Sequence, residues 1–228
     1  MSDLTPAAAP NDGTPVDEPP MEAVVDLLGM LAYGELVAFD RMAADARLAP
    51  DLRRRAVLSE MAAREITNYR RLAGRLAELG ADPEAAMAPY VRAVSDYHEQ
   101  TEPNDWLEGL TKAYVGDAIA DDFTREVALV LASPDRDLIL DVLHDSEHAD
   151  FAADELRAAI AIDPKVANRL SMWARRLVGE AISQSLRVAG ERPSLAALLA
   201  GRGTDFQALL KRLTTAHTAR MGAVGLNN

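Results

Sequence analysis

Four acids in this chain sit where chemistry could be done: Glu35, Glu65, Asp117 and Asp145. Each interrupts an apolar stripe of helical period. Glu35 falls between Leu31 and Ala38, Glu65 between Met61 and Leu72, Asp117 between Ala113 and Ala120, and Asp145 between Val142 and Ala152. Steps of three and four residues keep such positions on one helical face. Asn68 and His148 follow Glu65 and Asp145 by three residues, and Asp121 stands one turn past Asp117. The halves echo each other, Gly34-Glu35-Leu36-Val37-Ala38 paralleling Gly116-Asp117-Ala118-Ile119-Ala120. An uncompensated buried carboxylate is costly, so it takes up a proton or a partner. Two divalent cations would balance four converging carboxylates, and oxygen and imidazole donors suit iron or manganese. A hydrogen-bonded polar core without metal would meet the same demand, and both readings stand at this point. Tyr33, Tyr69 and Tyr114 lie within a turn of these residues and would form a shell around them, or simply pack.

Positioning these residues requires long helices. Apolar residues recur with helical period over about Met21–Asp45, Asp51–Leu79, Asp105–Ser133 and Asp135–Ile160. Pro50, Gly80, Pro134 and Pro164 punctuate them. A connection from Gly80 to Asp105, carrying Pro83, Pro89 and Pro103, predicts one short helix near Tyr90–Glu99. Two further helices are expected at about Val166–Gly190 and Thr204–Met221. Short loops within each pair and one long crossover between pairs predict an all-α, antiparallel four-helix bundle over residues 21–162. Residues 163–228 would pack on it. Residues 1–20 are rich in Pro, Ala, Asp and Thr and read as a disordered tail.

Composition narrows the function classes. The absence of cysteine excludes thiol nucleophiles, disulfides and thiolate metal sites. No apolar run reaches the roughly 20 residues of a membrane span, and no secretory signal is visible, so the cytoplasm is the expected location. The net charge of −12 disfavours a generic nucleic-acid binder. Ten basic and only three acidic residues follow Pro164, however. That asymmetry suits either an acidic partner such as tRNA or packing against the acidic helices.

Several segments carry a family resemblance: Val25-Asp26-Leu27-Leu28-Gly29, Ala32-Tyr33-Gly34-Glu35, Glu65-x-x-Asn68-Tyr69, Asp105-Trp106-Leu107-Glu108-Gly109-Leu110, Ala113-Tyr114-Val115-Gly116-Asp117, Asp145-x-x-His148, and Trp173-Ala174-Arg175-Arg176-Leu177-Val178-Gly179-Glu180. Through them the chain resembles the ferritin-like superfamily. Within it, the chain is similar to actinobacterial proteins grouped with the tRNA methylthio-isopentenyl-adenosine hydroxylase, a non-haem di-iron oxygenase. The resemblance implies Glu35, Glu65, Asp117, Asp145 and His148 as metal ligands, Asn68 and Asp121 as auxiliary groups, and tRNA as substrate. Asn68 stands where the family has histidine, and two of the four acids are the shorter Asp. The rival expectation is a metal-free ferritin-like scaffold whose C-terminal helices dock a partner or a second copy as a homodimer.

Overall fold

The computed structural model describes residues 19–143, 146–200 and 206–227. The expected tail up to residue 18, His144 and Asp145 lie outside the described residues. Helix α1 (Met21–Asp45) follows Pro20, whose extended backbone blocks helix on its N-terminal side. Helix α2 (Leu52–Glu78) is capped by Asp51, whose side chain accepts from the Arg54 amide at 2.9 Å. Past its end Gly80 takes φ +77°, a left-handed turn that glycine makes without steric cost. The crossover holds α3 (Pro83–Met87), a 3-10 turn at Ala88–Tyr90, and α4 (Val91–Gln100). Asp105 caps α5 (Trp106–Lys112) through the Glu108 amide at 2.9 Å, as its position predicts. Helical backbone continues through a π-helical turn, Ala113–Asp117, into α6 (Ala118–Ala128).

The fourth expected helix is two helices. Helix α7 (Asp135–Val142) ends at Leu143 in extended backbone (φ −64°, ψ 149°), and α8 (Ser146–Ile162) resumes beyond it. The break is accommodated because α2 supplies partners for the released carbonyls. The Asn68 side-chain amide donates to Val142 O at 3.0 Å, and Arg71 donates to Asp141 O at 3.3 Å. Helix ends without such partners are costly when buried. Helix α9 (Lys165–Glu191) then leads into an unanticipated α10 (Pro193–Ala200), in which Pro193 opens a helix instead of separating two. Helix α11 (Phe206–Ala223) follows residues 201–205, which are not described.

Two apolar cores form. One, around Leu27, collects Ala23, Val24, Leu28 and Ala32 of α1, Leu72 and Leu76 of α2, Val127, Ala128, Val130 and Leu131, and Ile139 and Val142 of α7. The other, around Leu110, collects Met42, Leu58, Met61, Trp106, Val115, Leu156, Leu170 and Leu177. Each long segment therefore runs from one core to the other. Helix α1 and the α7–α8 pair run from the Leu27 core to the Leu110 core, and α2 and α5–α6 run the opposite way. The long crossover between α2 and α5 returns the chain to the starting end, so those two segments are parallel while their sequence neighbours are antiparallel. This is the ferritin-like arrangement, and every regular element among the described residues is helical.

Gly29 marks the closest approach of α1 to the crossover. A Cβ there would stand 2.3 Å from Ala86 O, a backbone atom of α3. Gly29→Ala is therefore expected to destabilise by about 2–3 kcal/mol, read from urea denaturation; a change near zero would show that α3 yields freely.

The recurring Asp-Trp-Leu-Glu and Trp-Ala-Arg-Arg segments turn out to join α5 to α9. Glu108 accepts from Asn104 N at 2.9 Å and from Arg169 at 2.6 Å, while Trp173 Nε1 donates to Glu108 O at 3.0 Å. They fasten the bundle to its C-terminal addition.

Candidate metal centre

Between the two cores lies a belt where each helix carries ionisable residues. On α1 the cores stop at Ala32 and resume at Met42, and Glu35 lies between. On α2 they stop at Ala62 and resume at Leu72, with Glu65 and Asn68 between. On the third segment Val115 and Val127 bound Asp117 and Asp121. On the fourth, Val142 and Ala152 bound His148 and, by sequence number, Asp145. Glu65 is 1% exposed; Glu35, Asp117, Asp121 and His148 are half-buried. On each of these helices the predicted site residues fall, along the sequence, between residues of the two cores.

Asp117 closes the π-helical turn. Such turns are rare and concentrate at functional sites, since one extra residue re-aims the side chains that follow. Gly116 lets the crossover approach here, as a Cβ would meet Tyr97 Oη at 3.1 Å. Burial pushes the Tyr97 phenol above its ordinary range, and the Asp117 carboxylate pushes it further. Glu180 of α9 adds to that field, and its carboxylate accepts from Gln184 Nε2 at 2.6 Å. Tyr97, Glu180 and Gln184 are the polar neighbours that sequence reading missed. Tyr97 lies in the crossover and Glu180 on an added helix, so neither shares a stripe with the four acids.

The other expected neighbours divide. Tyr33 and Tyr69 pack against the Leu27 core and wall the belt on that side. Tyr114 belongs to the Leu110 core and donates to Arg220 O at 3.1 Å, so its hydroxyl serves α11. Asn68 is engaged with Val142 O. His148 Nε2 stands 3.2 Å from Arg64 Nη1. A guanidinium only donates, so Nε2 is the accepting nitrogen in that contact.

The family can now be read from the whole chain. Residues 20–202 match the model of the ferritin-like domain of actinomycetes. The chain belongs to that family. A solved structure described as "Protein 19 with aldehyde deformylating oxidase activity", from Synechococcus, shares the ferritin-like fold at a TM-score of 0.69. The two are 22% identical, and the match covers 90% of this chain and 91% of that one. No curated protein matches the sequence.

By donor type, Glu35, Glu65, Asp117 and His148 suit a hard divalent ion, as ferritin-like bundles hold them. The Asn68 amide nitrogen donates to Val142 O of α7, and its Oδ1 is the atom that could serve an ion. Among the described residues, no three His, Asp or Glu side chains are grouped as ligands of a single ion. Asp145, the remaining donor from the fourth helix, is outside those residues.

Proposed function

We propose that the protein is a ferritin-like oxidoreductase whose belt holds non-haem iron through Glu35, Glu65, Asp117, Asp145 and His148. The observation that carries this is the belt itself: Glu35, Glu65 and Asp117 on three segments and His148 on the fourth, each between residues of two apolar cores, with a π-helical turn at Asp117. When bound, iron supplies redox and Lewis-acid chemistry. The chain's part is to balance charge with its carboxylates, to exclude water with the flanking cores, and to hold Asp117 beside Tyr97. An oxidase activity in a protein of the same fold supports the class of reaction. Protein purified without chelator from cells grown with iron and manganese is expected to carry iron, up to about two equivalents per chain. Manganese in its place would change the metal; none of either would end the proposal.

The tRNA substrate implied by the hydroxylase resemblance is the less supported part. Five of the ten C-terminal cations are ion-paired to acids of the chain's earlier helices and caps: Arg169 to Glu108, Arg187 to Asp96, Arg192 to Asp26, Arg212 to Glu126 and Arg220 to Asp122. Charge spent inward leaves less for phosphates. Salt-sensitive tRNA binding would restore that substrate.

A second reading is a metal-free scaffold. It is favoured by Asn68 capping α7 and by Arg64 at His148, contacts that hold the belt without an ion.

A further inference from the structure

A second polar site lies outside the belt, where α1 ends. A cleft of about 180 Å3 opens between Arg41, Asp45 and Arg47 on one side and His98, Glu102 and Lys112 on the other. One water needs roughly 10–15 Å3, so the space takes a larger guest. Lys112 is 7% exposed, and its ammonium donates to Thr101 O at 2.8 Å while standing 5.4 Å from the Tyr97 ring centroid. Arg41 Nε and His98 Nδ1 are buried with no hydrogen-bond partner. Among the described residues, neither Arg41 nor Lys112 forms an ion pair with a carboxylate, and Asp45 and Glu102 pair with no cation. Arg41 and Lys112 thus share one cleft with Asp45 and Glu102 without pairing to them directly, which leaves N–H groups of both cations for the acceptor oxygens of a guest.

We infer that this cleft binds a small oxyanion, held by the Arg41 guanidinium, the Lys112 ammonium and the His98 imidazole. Oxygen acceptors match the planar fork of arginine and the remaining ammonium hydrogens of Lys112, and each contact is charge-assisted. His98 is kept neutral, lowered to about 3 by burial and then by Lys112 and Arg41, so Nδ1 donates in the matching tautomer. Inorganic phosphate and short carboxylates share this chemistry. The site uses none of the proposed metal ligands, although Asp117 acts on Lys112 through space.

The surrounding charges set the pH dependence. Burial chiefly, and then Arg41, lowers Lys112 to about 8, against the opposing pull of Asp45, Asp117 and Glu102. Burial raises Asp45 to about 6, with Lys112, Arg41 and Arg47 opposing it and Glu102 reinforcing it. Affinity should therefore fall as Lys112 loses its proton above about pH 8, and rise as Asp45 gains one below about pH 6.

The test titrates phosphate and acetate separately into the full chain at fixed ionic strength, with chloride as control, by calorimetry and thermal shift. A saturable response to phosphate or acetate is expected, and the tighter of the two identifies the source. Arg41→Gln and Lys112→Gln should each weaken it about tenfold. Lys112→Gln removes a buried charge, so folding should survive it. A response no greater than that to chloride, or unchanged affinity in both variants, would overturn the site. Should the variants not fold, the wild-type acetate series decides, because acetate keeps one charge throughout: acetate affinity that fails to drop between about pH 7 and pH 9 rejects the site.

Discussion

Asp26→Ala is expected to cost about 3–5 kcal/mol of stability. Asp26 lies on the core face of α1, one helical step from Leu27 and Leu28, and is 3% exposed. Its carboxylate accepts from Arg192, at the end of α9, and from Ser194, in the first turn of α10. Tyr90, wholly buried, lies beside them, its phenol raised to about 12 by burial and then by Asp26. One acid thus joins α1, the crossover and the C-terminal addition. Removing it strands the Arg192 guanidinium, two-thirds buried, beside an apolar core. Urea denaturation reads the loss. Asp26→Asn, which keeps an acceptor oxygen, should lose less than half as much. A loss below about 1 kcal/mol in the alanine variant would mean that the pair behaves as a surface ion pair.

Glu65→Gln, measured with and without chelator, separates the two functional readings. If the belt holds iron, the variant should lose bound metal, and its melting temperature should fall to that of metal-stripped wild type. The stabilisation lost is set by mass action, about 4 kcal/mol for metal at a thousandfold excess over its Kd. If the belt is a metal-free polar core, the isosteric amide removes a buried charge at a position 1% exposed. Stability should then be the same with and without chelator, in wild type and variant alike. Differential scanning calorimetry with and without chelator decides. A chelator-insensitive wild type would sink the metal reading.

Much of this protein was determined by local chemistry. Helix α1 runs over the residues that its apolar period predicts, and Asp51, Gly80 and Asp105 end or begin helices where expected. Those features depend on side chains within one or two turns of each other. Glu65 is buried for the same reason: three- and four-residue steps place it on the stripe of Met61 and Leu72. The length of the crossover likewise sufficed to foresee a ferritin-like bundle rather than a simple up-down-up-down one.

Tertiary structure decided what depends on a distant partner. The apolar period runs unbroken through Leu143, yet the helix stops there, because Asn68 and Arg71 of another helix satisfy its carbonyls. The Asn68 amide nitrogen, three residues past Glu65 in the sequence, caps α7 at Val142 O. Cations after Pro164 look like a nucleic-acid face in the sequence, and five of them turn inward to acids far along the chain. Tyr97 reaches Asp117 only because the crossover lies against Gly116. Helical periodicity reports which face of a helix is apolar. It carries no information about which remote donor, acceptor or charge that face will meet.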